Sequence, residues 1–103
     1  MWLNKLLLWW RQSKPFDVKL KGRSGLTYFE ETKRMEVDSE MLVGEYNYVV
    51  FSDSICSWSA PNENITLSKL DKNRILKNIV TCLQESNIRV QVYDRAQGTV
   101  ENI

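Results

Sequence analysis

The chain has 103 residues, 43% of them apolar and 26% charged, which suits one domain with a single hydrophobic core. Its 14 basic and 13 acidic residues nearly cancel, and it contains no histidine. Because histidine is the usual general base and a leading metal ligand, this composition lowers the expectation of an enzyme. The two cysteines lack any metal-binding spacing, so we predict neither a metal site nor a cofactor.

Residues 1–14, MWLNKLLLWWRQSK, combine a dense apolar run with basic residues. We expect a short N-terminal helix that ends before Pro15, because proline disfavours helix in the residue preceding it. The run is about half the ~20 residues of a membrane span and lacks the cleavage site of a signal peptide. It could pack on its own domain, contact a partner, or contact a membrane surface through Trp2, Trp9 and Trp10.

Short strands separated by turns follow from residue 16 onward. FDVKLK and LTYFEE lie on either side of the glycine-containing turn GRSG, and together they predict a β-hairpin. RMEVDSEM alternates between apolar and charged residues, as a strand does with one face on the core and one in water. We expect its core-facing residues to be Met35, Val37, Ser39 and Met41.

The stretch YNYVVFS predicts a central strand that is partly covered on both faces. We expect Val49 and Phe51 to point to the core. Tyr46, Tyr48 and Val50 should then point across the sheet.

A helix over about residues 69–85 is the clearest element of the chain. Ser68 and Asp71 resemble a capping box at its start, and an apolar stripe runs through Leu76, Ile79, Val80 and Leu83. IRVQVYD then predicts a further strand, whereas residues 96–103 have little to bury and are expected to form a frayed tail. The fold class is α+β: an antiparallel sheet of about five strands with the long helix on one face, forming a single domain over residues 16–95.

The charges are unevenly distributed along the chain. Residues 28–65 carry eight acids and two bases, a net charge of −6, so the remainder carries +7. This segment is either an ordinary solvated face or an acidic, tyrosine-containing surface for a basic protein partner. Basic residues are dispersed rather than interleaved with aromatic residues, so nucleic-acid binding is not expected.

The binding interpretation assigns three roles to residues of this segment. Carboxylates on the charged strand face would steer the partner, tyrosines would anchor it, and the loop after the central strand would form the interface rim. The steering candidates are Glu36, Asp38 and Glu40, and the anchor candidates are Tyr46 and Tyr48. The rim candidates are Asp53, Ser54 and Trp58. Trp58 has a second interpretation, as a core residue that closes the end of the sheet.

Catalysis receives little support from the same residues. The serines at positions 52, 54 and 57 have no histidine to activate them and no GxSxG motif. The carboxylates Glu36 and Asp38 are expected to be solvated, without the burial that would separate their pKa values. We therefore predict a protein that binds rather than an enzyme.

Three stretches resemble the immunity protein 74 family of bacterial polymorphic toxin systems: DSEMLVG (38–44), YVVFSDSICSW (48–58) with a proline soon after, and DKNRILKNIVTCLQESNIRVQV (71–92). The resemblance covers residues 16–94. It implies a cytoplasmic protein that binds and blocks a cognate toxin C-terminal domain, often a nuclease, as in contact-dependent growth inhibition. It implies no particular interface residues.

An alternative of another class is an adaptor or regulatory module held at the inner face of the membrane by Trp2, Trp9 and Trp10. Deleting residues 1–14 would distinguish the two hypotheses, because toxin binding should not need this segment whereas membrane association would.

Overall fold

The computed structural model describes residues 15–101, which form one mixed sheet and one long helix. The elements in chain order are β1 (Phe16–Leu20), β2 (Ser24–Glu30), β3 (Lys33–Met41), β4 (Tyr48–Phe51), a 3₁₀ turn (Ser52–Ser54), α1 (Lys69–Glu85), β5 (Val90–Asp94) and β6 (Thr99–Glu101). The α+β class and the helix over residues 69–85 are confirmed. The predicted N-terminal helix lies outside the described residues.

Strands β1 to β4 form an antiparallel meander whose register follows the local sequence. The predicted hairpin is confirmed, with Val18 opposite Tyr28 and Leu20 opposite Leu26. Gly25 has a φ of 84°, and the pairing of β2 with β3 shifts register beside it. Such a bulge uses a glycine because left-handed backbone is strained for residues with a Cβ.

Helix α1 begins and ends where its local signals place it. The Ser68 hydroxyl accepts a hydrogen bond from the Asp71 backbone N–H, and the Asp71 carboxylate accepts one from the Ser68 backbone N–H, each at 3.0 Å. At the other end Asn87 adopts a left-handed φ of 63°, which stops the helix. The apolar stripe of α1 packs on the sheet, and its buried residues are Ile75, Leu76, Ile79, Val80 and Leu83.

The core lies between α1 and one side of the sheet, which we call the helix face. Its largest fully buried sheet residues are Leu26, Tyr28, Met35, Val37, Tyr48 and Val50. The opposite side is called the outer face, and it carries the charged residues of β3. The predicted alternation of β3 is confirmed for Met35, Val37 and Ser39, whereas Met41 is 60% exposed at the strand's end, contrary to expectation.

The predicted orientation of β4 is wrong. Tyr48 pairs with Met41 and Val50 with Ser39, so both side chains lie on the helix face. Val49 pairs with Glu40 and lies on the outer face. Alternation identifies two faces but cannot decide which one meets the helix when both are apolar, and here the pairing register decides it.

Two further features of the sheet differ from the prediction. Residues 99–101, expected to be part of a frayed tail, form β6 and pair antiparallel with β5 through Val92–Glu101 and Asp94–Thr99. The β4–β5 pair is parallel rather than antiparallel. It is parallel because α1 carries the chain back across the sheet between the two strands, which a hairpin cannot do.

Candidate functional site

Arg95 joins two of the predicted steering and rim acids. One guanidinium nitrogen, Nη2, donates to Asp38 Oδ2 at 2.8 Å, and Nε donates to Asp53 Oδ2 at 3.0 Å. The backbone N–H of Arg95 also donates to Asp53 Oδ1 at 2.9 Å. The guanidinium lies 4.4 Å from the centroid of the Phe51 ring, a cation–π arrangement. The structure therefore brings Asp38 and Asp53 together, but around a cation of the same chain.

Ser54 completes this cluster through the backbone. Its hydroxyl donates to the Phe51 carbonyl at 2.6 Å and accepts from the Asp38 N–H at 2.9 Å. Partial burial opposes ionisation of Asp53, but the hydrogen bonds from Arg95 outweigh it and keep the pKa of Asp53 below its usual value. Ser54 and Asp53 thus hold the 3₁₀ turn in place, and neither arrangement activates a nucleophile.

The predicted acidic face is partly neutralised by bases from elsewhere in the chain. Glu36 forms an ion pair with Lys21 and accepts a hydrogen bond from the Thr27 hydroxyl at 3.1 Å. Among the three predicted steering carboxylates only that of Glu40 has no ion pair within residues 15–101. The sequence segment is strongly acidic, but the folded surface is mixed, because Lys21 and Arg95 come from outside the segment.

Two predicted contact residues are buried, so a partner on the described surface cannot reach them without a rearrangement. Tyr48 lies in the core, where its hydroxyl and that of Ser39 share a 2.6 Å hydrogen bond. Trp58 stacks on Tyr28 with ring centroids 6.2 Å apart, and Lys33 lies 5.4 Å from its ring centroid. The interpretation of Trp58 as a core residue is the one that the structure supports.

The turn between β3 and β4 presents a surface that the sequence reasoning recognised only in part. We call residues 41–46 the β3–β4 tip. Met41, Val43 and Tyr46 are its exposed apolar residues, and only Tyr46 was among the predicted contacts. The missed signal is an apolar valine placed directly before the turn residue Gly44, where a solvated loop would normally carry a polar residue.

A groove of about 500 Å³ lies at the opposite end of the sheet. Its lining includes Phe16, Trp58 and Arg74, and Arg74 bridges Glu30 at 2.8 Å and Asp71 at 2.7 Å. These charges are paired with one another, so the groove offers no reactive group of its own.

Within residues 15–101 no three acidic, cysteine or histidine side chains are grouped so that they could hold a metal ion. None of the described helices is long and apolar enough to cross a membrane. The free cysteines, Cys56 and Cys82, are exposed and half-buried respectively and form no disulfide.

Comparison with known proteins identifies the family to which the chain belongs. The model of the family described as immunity protein 74 matches residues 18–93, which include β2 to β4, α1 and most of β1 and β5. No curated protein and no solved structure matches the chain. Since the matched region covers well over half of the sequence, the chain belongs to the immunity protein 74 family.

Proposed function

We propose that this immunity protein binds a cognate toxin C-terminal domain in the cytoplasm and neutralises it by covering its active site or blocking substrate access. The observation that carries the proposal is the family match over residues 18–93. The predicted site residues Asp38, Asp53 and Ser54 are engaged in structural hydrogen bonds rather than aimed at a shared reaction centre, so their geometry gives no support to a catalytic role.

The toxin class we propose is a nuclease. A nuclease must attract phosphate and therefore presents a basic site, which carboxylates of an inhibitor can occupy. Three carboxylates of the acidic segment have no ion pair within the described part of the chain and remain available for such contacts: Glu40, Glu45 and Glu63. Glu36, Asp38 and Asp53 would first have to exchange their internal partners.

Co-expression tests the proposal. Cells that produce the toxin domain encoded by the upstream open reading frame should survive when they also produce this protein, and the two chains should co-purify as a heterodimer. A catalytically inactive toxin serves as the control for toxicity. Failure of both rescue and co-purification would contradict the proposed function.

The second candidate function concerns residues 1–14, which lie outside the described residues. Tryptophans beside basic residues favour a membrane interface, and on this ground we propose peripheral membrane contact through Trp2, Trp9 and Trp10. Deleting residues 1–14 should abolish co-sedimentation with anionic vesicles and leave toxin binding unchanged. Equal sedimentation of the full-length and shortened chains would contradict this proposal.

A further inference from the structure

We infer that the β3–β4 tip, residues 41–46, is the principal contact surface for the toxin and that it binds a patch combining apolar and basic residues. This inference rests on the proposed function and adds to it the location of the interface and the chemistry of the partner.

Exposed apolar side chains are concentrated at the tip. Of the seven large hydrophobic residues exposed within residues 15–101, three lie within these six positions: Met41 at 60%, Val43 at 105% and Tyr46 at 39%. Exposed apolar residues scattered singly need no explanation, but a cluster marks an interaction site. The Val43 side chain contributes nothing to the core, since it is fully exposed.

Backbone hydrogen bonds hold the two ends of the tip in place. The N–H of Leu42 donates to the Asn47 carbonyl at 2.9 Å and closes the loop. The N–H of Asn47 donates to the Arg89 carbonyl and the N–H of Arg89 to Asn47 Oδ1, both at 2.9 Å, so the loop is attached to the turn that precedes β5. A preorganised loop loses little conformational entropy on binding, which favours affinity.

The apolar surface of the tip continues beyond the loop. Tyr46 and Val100, the latter 54% exposed on β6, line one depression of about 290 Å³ together with Gln84 of α1. The Tyr46 hydroxyl has no hydrogen-bond partner within residues 15–101 and is free to bond across an interface. A tyrosine with an apolar ring and an available hydroxyl is a typical interface anchor.

Charge determines which partner fits this surface. Glu40 and Glu45 flank the exposed side chains, and neither forms an ion pair with another described residue. A two-fold contact between the tips of two copies would place the same patch on both sides, and residues 40–46 contain two glutamates and no basic residue to pair with them. A basic toxin surface would instead attract both glutamates. We therefore assign the tip to the toxin rather than to a second copy of this chain.

Matched substitutions in the full-length protein test the assignment. Val43→Asp places a charge among the exposed apolar residues, and Leu70→Asp makes the same change at a site on α1 that is 80% exposed. Glu45→Lys reverses a tip charge, and Asp17→Lys reverses an exposed charge on the edge strand β1. The probe is the inactive C-terminal domain of the protein encoded upstream, titrated by calorimetry against each variant, with thermal melting to verify the fold.

Val43→Asp and Glu45→Lys should each raise the dissociation constant at least about tenfold, whereas both control variants should bind like the wild type. Wild-type affinity in the two tip variants, with the wild-type protein still protecting cells, would overturn the inference and leave the proposed function intact. Failure of the wild-type protein to bind or protect would overturn both. Loss of affinity in the control variants equal to that in the tip variants would also overturn the inference, because it would not be specific to the tip.

Discussion

At the scale of single residues, buried polar groups determine how β4 sits in the core. The Tyr48 hydroxyl shares its 2.6 Å hydrogen bond with Ser39 and donates to the Gly25 carbonyl at 3.3 Å. No buried side-chain nitrogen or oxygen within residues 15–101 lacks a partner. A tyrosine expected to meet a toxin is therefore a structural residue, because its ring fills the core and its hydroxyl satisfies a buried serine.

Tyr48→Phe should lower the free energy of unfolding by about 1–3 kcal/mol, because it leaves the Ser39 hydroxyl buried without its partner. The double variant Tyr48→Phe/Ser39→Ala should recover part of this loss, since it removes both polar groups. Urea unfolding followed by circular dichroism measures the change. A fully stable Tyr48→Phe variant with impaired toxin binding would contradict the structural role and restore Tyr48 as a contact residue.

Tyr28 is a second buried tyrosine, and its hydroxyl takes part in a hydrogen-bond network beside the groove. Tyr28 donates to Glu30 Oε2 at 2.6 Å and accepts from Asn78 Nδ2 at 2.9 Å, so it links β2 to α1. Burial raises the pKa of the Tyr28 hydroxyl above its usual range, and the adjacent Glu30 carboxylate acts in the same direction. Tyr28 therefore keeps its proton at neutral pH and donates a hydrogen bond to Glu30.

At the scale of elements, the start of α1 is defined by a reciprocal cap with a measurable pH signature. The Asp71 carboxylate accepts from the Ser68 backbone N–H at 3.0 Å and from Arg74 Nη1 at 2.7 Å. The backbone hydrogen bond from Ser68 and then the bond from Arg74 lower the pKa of Asp71 to about 2. The ionised form is thus favoured by folding.

Because the folded-state pKa is depressed, Asp71 stabilises the fold above its unfolded pKa of about 3.9 and loses this effect as the pH falls toward about 2. We expect wild-type protein to have a higher urea midpoint than Asp71→Asn at neutral pH. The difference should shrink between about pH 4 and pH 2, as measured by circular dichroism at 222 nm. A difference that is independent of pH over this window would refute the assigned role of the carboxylate.

At the scale of the whole molecule, sheet and helix share one core. Buried apolar residues from α1, from β2 to β5 and from the long loop before α1 form one contiguous cluster, which includes both Trp58 and Ile79. Elements that share one core in a chain of this size unfold together. The absence of a separate core predicts a single cooperative transition for the described part of the molecule.

Replacing Trp2, Trp9 and Trp10 by Phe leaves Trp58 as the only tryptophan, so its fluorescence reports on the core. In this variant the fluorescence and far-ultraviolet circular dichroism transitions in urea should coincide. Adding Ile79→Ala should lower the free energy of unfolding by about 2–5 kcal/mol and move both transitions equally. Separate midpoints for the two signals would show that the helix and the Trp58 region unfold independently.

The local elements of this protein follow from short-range sequence signals, each of which lies within a few residues. The capping box at Ser68, the end of the helix at about residue 85 and the alternation of β3 through Ser39 each depend on neighbouring residues, and all three were predicted with the correct location. The family resemblance also lay in short stretches of sequence, residues 38–44, 48–58 and 71–92, and the match over residues 18–93 confirms it.

The relations between distant segments depend on strand pairing and packing, which local signals do not encode. The face that β4 presents to α1 depends on its register with β3, and the existence of β6 depends on an available edge of β5. The charge of the surface depends on tertiary structure in the same way, because Arg95 reaches Asp38 from 57 positions away and forms an ion pair with it. Composition along the chain reports the charge of a segment, whereas a partner meets the charge of a surface, and folding brings residues from several segments onto each surface.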